Sequence, residues 1–183
     1  MTIATLQFRV ATPEDAPRLQ QLIEAAFRAE DPNGKWTDNL GLSARFRIGL
    51  DEVLANINNP DGATLIGTDS DGNLVASVAV FFKRNANITR LAMLSVDPNR
   101  QHGGLGRQIL SYGENYCQET WGVRQLGLNA LSTRQELVSW YERCGYKRTG
   151  QLSPFPVELF PDVALPDNLG FVEMEKDLAG ASV

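Results

Sequence analysis

Apolar residues recur along this chain with two different periods. Short apolar or alternating runs mark strands at residues 5–10, 63–68, 74–82, 87–97 and 125–130, and a closing strand at 171–176. Between them the spacing changes to that of helices. Leu19, Leu22, Ile23 and Ala26 follow Thr12-Pro13-Glu14-Asp15, where Thr12 can cap, Pro13 suits the first helical position and Asp15 complements free amides, so a helix is expected to end near residues 27–30. A second short helix covers 49–58 and a third runs from about Leu105 to Thr120, with Leu105, Ile109, Tyr112 and Tyr116 along one face. Thr133 and Glu136 form a candidate capping box for a fourth helix, which runs through Arg143 and stops at Gly145 before a strand at 146–150.

The punctuation between these runs sets the architecture. Asp69-Ser70-Asp71-Gly72-Asn73 predicts a hairpin. Residues 31–47 are irregular, interrupted by Gly34 and Gly41, and residues 151–168 form a long loop stiffened by Pro154, Pro156, Pro161 and Pro166. Hairpin-like strands followed by alternating strands and helices predict an α/β fold with a mixed central sheet flanked by helices. No linker divides the 183 residues, so the expectation is a single domain over 1–183.

Charge and composition narrow the function. The net charge of -5 argues against a broad nucleic-acid surface, which needs clustered positive charge, and no apolar run is long enough to span a membrane. The first nine residues lack the charged start and apolar core of a secretory leader, so a cytoplasmic protein is expected. Cys117 and Cys144 show neither disulfide-scaffold nor metal spacing and read as buried thiols; with His102 the single histidine, no metal site is expected.

The strongest local signal is Asn99-Arg100-Gln101-His102-Gly103-Gly104-Leu105-Gly106-Arg107, between a strand and a helix. Its glycines admit a tight turn and a close ligand, the helix start offers free amides to an anion, and Arg100 and Arg107 add charge. The turn lacks the Gly-Lys-Ser/Thr ending of a P-loop and the Gly-x-Gly-x-x-Gly of a dinucleotide fold. A turn that only permits close packing is the competing reading, and His102 reads as an exposed ring more readily than as a base.

Gln101-His102-Gly103-Gly104-Leu105-Gly106 fits the pattern Gln/Arg-x-x-Gly-x-Gly/Ala, and Leu94-Ser95-Val96-Asp97-Pro98 fits the strand that precedes it. Trp140-Tyr141-Glu142-Arg143-Cys144-Gly145-Tyr146 fits a second pattern, aromatic-Tyr-x-x-x-Gly-aromatic. In these motifs the chain resembles the GNAT family of N-acetyltransferases, closely over 88–150 and weakly over nearly its whole length. The resemblance implies an acyl-CoA N-acyltransferase fold in which acetyl-CoA lies in a splayed gap between the strands at 88–97 and 125–130. It implies cofactor binding by Leu94, Ser95 and Val96 for the pantetheine arm, and by Gln101, His102, Gly103, Gly104, Leu105, Gly106 and Arg107 around the pyrophosphate. Tyr141 matches the family's frequent general acid; from the residues alone, core packing competes with that role.

No glutamate stands on the strand at 88–97 to act as base, and Arg134 stands where many members have Asn. Glu24, Glu30, Asp38 and Glu158 are candidate substrate-facing acids, while Trp36, Asp38, Phe46 and Arg47, with Phe155, Val157 and Phe160, are candidate substrate walls. The implied activity is transfer of an acetyl group to a primary amine of a small molecule or amino acid. A protein or peptide amine, or a non-catalytic acyl-CoA-binding module, are the alternatives. Edge strands that need cover leave room for a homodimer.

Overall fold

The computed structural model describes residues 5–29, 31, 36, 40–86, 88–101 and 103–178. The described strands are β1 Gln7–Val10, β2 Gly62–Thr68, β3 Leu74–Lys83, β4 Ile88–Val96, β5 Gln125–Leu131, β6 Lys147–Pro154 and β7 Gly170–Asp177. They form one mixed seven-stranded sheet in the order β1-β2-β3-β4-β5-β7-β6. Helices α1 Ala16–Arg28 and α2 Leu50–Ile57 lie on one face; α3 Leu105–Trp121 and α4 Gln135–Arg143 lie on the other. Alternation explains the layering: Leu126, Leu128 and Ala130 of β5 join the α3–α4 core, whereas Ile66 of β2 packs with Leu19 and Ile23 of α1.

All pairs are antiparallel except β4 with β5, which are parallel. That one parallel ladder is short. It holds only Thr89 opposite Leu126 and Arg90 opposite Gly127. Beyond Arg90 the strands separate, and β4 carries a bulge on its other side, where its register against β3 shifts between Ser77 and Ala79. Met93 sits in this bulge with φ 55°, a left-handed conformation that costs a non-glycine residue about 1–3 kcal/mol. The bulge breaks the straight run of β4 where a straight strand would continue to pair with β5.

Two element boundaries and one helix face differ from the sequence expectation. The Thr133–Glu136 box does not form: Arg134 is the N-cap residue of α4, no side chain caps it, and the buried Thr133 hydroxyl has no partner. Arg134 instead donates to the Trp36 carbonyl at 2.8 Å, which ties the helix start to the α1–α2 connection. Strand β6 runs on to Pro154 rather than stopping at Gly150, because it is an edge strand whose last residue can dispense with an amide donor. The buried face of α3 is built from Leu105, Ile109, Leu110, Gly113 and Cys117, with Tyr112 and Tyr116 flanking it; at Gly113 a Cβ would come 3.1 Å from Leu91 and 3.2 Å from Val78, so a larger residue would make those side chains shift.

The entry to α1 behaves as its sequence implies. Asp15 accepts from the Thr12 amide at 2.9 Å and from both guanidinium nitrogens of Arg9, at 2.7 and 2.8 Å. The Arg9 hydrogen bonds are the largest influence and hold the Asp15 carboxyl down at about 2, against an opposing effect of burial. A depressed carboxyl stabilises the fold above its unfolded value and loses that contribution as pH falls. Asp15→Ala is therefore expected to cost about 1–2 kcal/mol near neutral pH. Urea unfolding should show the difference from wild type closing as pH drops from about 4 to about 2.

Candidate active site

The glycine turn delivers the chain from β4 into α3. Gly104 caps the helix with φ 75°, and the first helical bond runs from the Gln108 amide to the Gly104 carbonyl at 3.1 Å. The amides of Leu105, Gly106 and Arg107 thus precede the helical ladder and point out of its positive end. Nothing lies within 4 Å of where a Gly104 side chain would start, so the cradle is open there. Gly106 is close-packed instead: a Cβ would fall 3.5 Å from the Trp140 ring and 3.7 Å from Val96. Val96, Gly106 and Trp140 therefore converge at the open end of the β4–β5 gap. Gln101 is exposed at the start of the turn, and His102 lies outside the described residues.

The two arginines of the turn serve as ties. Arg100 pairs with Asp69 of the β2–β3 hairpin at 2.7 Å. Asp69 also takes hydrogen bonds from the amides of Asp71 and Asn73 and from the Asn73 side chain, and Asn73 leads the effects that lower its pKa. Arg107 donates to the Arg143 carbonyl at 2.8 Å, holding the N-terminus of α3 against the C-terminus of α4. Of the strand residues, Leu94 and Val96 are half-buried, whereas Ser95 is buried and its hydroxyl turns back to the Met93 carbonyl at 3.0 Å. Only its backbone is left to meet a ligand.

Tyr141 lies on the buried face of α4 between Trp140, 5.1 Å away by ring centroids, and Tyr146 at 5.8 Å. Its hydroxyl makes no hydrogen bond to the described residues. Burial pushes its pKa up to about 12, opposed in part by the Arg134 cation and reinforced by Cys144. It is thus a neutral phenol with its proton to give, in a low-dielectric setting. Tyr146 behaves differently. It donates to Glu114 at 2.9 Å, and Lys176 holds the same carboxylate at 3.1 and 2.9 Å while also capping the Cys144 carbonyl at 2.9 Å. This ion pair braces the aromatic row from behind. Cys117 and Cys144 are buried free thiols; burial, then the nearby Glu114 charge, pushes Cys117 up to about 12, which leaves it unreactive.

Among the sequence candidates for substrate contact, several are structural. Glu24 pairs with Arg28 at 2.7 Å and accepts from the Ile48 amide. Phe46 stacks on Phe27, and Phe155 packs on Phe160 and Phe171. Glu158 and Arg47 are exposed, Trp36 is half-buried, and Glu30 and Asp38 lie outside the described residues. The aromatic loop nevertheless closes one wall. Leu42, Leu131 and Leu169 form an apolar cluster with Phe155, Phe160 and Phe171, and Arg45 joins Asp162 across it at 2.9 and 2.8 Å. The α1–α2 connection and the β6–β7 loop thereby meet over the C-terminal end of β5.

Arg90, Asn129, Ser153 and Glu173 lie in a row across β4, β5, β6 and β7. Glu173 accepts from Asn129 at 2.9 Å, Ser153 at 2.6 Å and Arg90 at 2.9 Å. Burial pushes its carboxyl upward, but these three donors outweigh it and hold the group ionised. Strand alternation puts Glu173 and Phe171 on one face, yet nothing in the sequence gives the cross-strand register that brings Arg90 to them.

A sequence model described as the acetyltransferase (GNAT) family matches residues 18–146. The chain belongs to the GNAT acetyltransferase family. A curated relative, S-(2-succino)cysteine N-acetyltransferase of Bacillus subtilis (strain 168), is 28% identical over 152 residues, covering 79% of this chain and 86% of the relative. Among solved structures, the ribosomal-protein-S18-alanine N-acetyltransferase of Escherichia coli superposes with a TM-score of 0.70 at 16% identity, over 97% of each chain. A spermidine N-acetyltransferase chimera from Vibrio cholerae and hSSAT superposes with a TM-score of 0.68 at 17% identity, over 95% of this chain and 96% of that one. These two likenesses establish the GNAT fold, whose mixed sheet and flanking helices are those described above.

Proposed function

We propose that this protein transfers the acetyl group of acetyl-CoA directly to a primary amine of a small molecule. The observation that carries the reading is the β4–β5 gap, which opens beyond Arg90 and leads to the free amides of α3. A pyrophosphate suits those amides because they combine unpaired donors with the positive end of a helix of 17 residues. The amide-rich pantetheine arm suits the unpaired edge of β4 along Leu94, Ser95 and Val96, where it can pair as a strand would.

Acetyl-CoA supplies a thioester whose acyl carbon an uncharged amine can attack, with a thiol as leaving group. The chain's own residues then have two tasks. One is to hold the donor and acceptor together, which the β4–β5 gap and the closed aromatic wall do by excluding alternatives. The other is to deliver a proton to the departing sulfur, balanced by the proton that the attacking amine releases to solvent and that restores the phenol. Tyr141 is assigned that task because its phenol is protonated, buried and without a competing acceptor among the described residues. A small acceptor is favoured over a protein chain because the α1–α2 connection and the β6–β7 loop meet through the Arg45–Asp162 pair and an apolar cluster, which shortens the groove an extended peptide would need. The relative named for S-(2-succino)cysteine acetylation supports an acceptor of amino-acid size.

The test is thiol release from acetyl-CoA against free amino acids, polyamines, simple amines and short peptides, with product masses. Release that depends on a small amine, with the acetylated amine as product, is expected. Release on peptides alone, or on no amine, would refute the proposal.

A further inference from the structure

Arg90 is the last residue of β4 to pair with β5, so it stands at the base of the gap, on the face away from α3. Its side chain crosses β5 at the one residue there that offers no obstacle. A Cβ on Gly127 would sit 3.3 Å from Arg90 Nη1. The guanidinium reaches Glu173 on β7 through Nη2 at 2.9 Å. Glu173 is fixed in turn, because Asn129 and Ser153 both donate to its Oε1. The row is therefore preorganised: an arginine aimed by a carboxylate that two further donors hold still.

A guanidinium carries five N–H groups, and the described residues use only one side of this one. The Arg90 side chain is 32% exposed, while Glu173 is only 13% exposed. The neighbouring pair along the strands on the same face is Leu131 opposite Phe171, which gives the row an apolar roof. Glu173 is committed to three donors, whereas Glu175, opposite Gly127 on the same face, is exposed and pairs with no cation among the described residues. An anionic group has a planar fork that matches its shape. The Glu173 charge opposes a second carboxylate; Asn129 and Ser153 take up one of its oxygens, and a ligand carboxylate shares Arg90 with the other.

We infer that Arg90 is the carboxylate anchor of the acceptor site, and that the acceptor is an amine bearing a carboxylate, in the simplest case a free amino acid. This rests on the reading of the protein as an acetyl-CoA-dependent N-acetyltransferase. Asn129, Ser153 and Glu173 are positioning residues that act through Arg90.

The experiment compares matched acceptors that differ only in the carboxylate: phenylalanine with phenethylamine, and leucine with isopentylamine. Wild type should prefer the amino acids by about 10- to 100-fold in kcat/KM, the span of a charged hydrogen-bonded contact. R90Q should erase that preference by raising KM for the amino acids alone, with KM for acetyl-CoA unchanged. R90K keeps a cation for Glu173 and so protects the fold; it should lose most of the preference because an ammonium lacks the planar fork. Equal use of both acceptor types by wild type, or equal losses for both in R90Q and R90K, would overturn the anchor while leaving acetyl transfer intact. Transfer to no amine at all, despite acetyl-CoA binding, would overturn the transferase reading beneath it.

Discussion

G104D is expected to raise the dissociation constant for acetyl-CoA by about 100-fold or more while leaving the fold close to wild type. The separation comes from the position. Gly104 has φ 75° and caps α3, and no atom lies within 4 Å of a Cβ built there. Aspartate is among the residues that tolerate this left-handed conformation, at a cost of about 1 kcal/mol, and its charge is favourable at a helix N-terminus. The same carboxylate would occupy the field of the Leu105, Gly106 and Arg107 amides that the pyrophosphate needs. Two like charges about 4 Å apart at an effective dielectric of about 20 repel by roughly 4 kcal/mol, more than enough for a hundredfold loss. Calorimetric titration with acetyl-CoA, beside a thermal melt of each protein, measures both halves. Unchanged affinity would show that the turn is only a packing device, and a large fall in melting temperature would show that Gly104 serves the fold.

Tyr141→Phe should lower kcat by about 100-fold with KM for acetyl-CoA unchanged. The hydroxyl has no hydrogen-bond partner among the described residues, so its removal leaves no orphan and stability should stay within about 0.5 kcal/mol. This distinguishes it from Tyr146, whose hydroxyl is tied to Glu114. The pH profile provides a second check. Burial raises the Tyr141 pKa to about 12, so the phenol remains protonated across the working range. The wild-type rate should therefore show no decline from tyrosinate formation below about pH 10, the ordinary value for a phenol. A descending limb below that value which Y141F abolishes would mean that the group is not insulated as its burial implies. An unchanged kcat in Y141F would remove it from the chemistry.

Much of this architecture could be read from the chain because its local signals agree with one another. Alternation located β2 to β5, Asp69–Asn73 marked the hairpin, and Gly145 stopped α4. The gap between β4 and β5 came only through the family resemblance; on the residues alone, nothing in Leu91–Val96 announces a bulge, since Met93 is an ordinary strand residue forced left-handed by its surroundings. Other features depend on contacts made after folding. The α4 start moved because Arg134 found the Trp36 carbonyl 98 positions away, and a local capping rule cannot anticipate such a partner. The arginines of the anion turn looked like phosphate ligands in sequence, yet Arg100 is drawn to Asp69 and Arg107 to the end of α4. The Arg90 row needed cross-strand register over four strands, which periodicity does not supply.

The most direct test of the central claim is backbone amide hydrogen exchange with and without saturating acetyl-CoA. Binding at the α3 turn predicts slowed exchange at residues 94–96 and 103–107, with the far edge strand β6 unchanged. Saturation without protection at those residues, or protection elsewhere only, would contradict it.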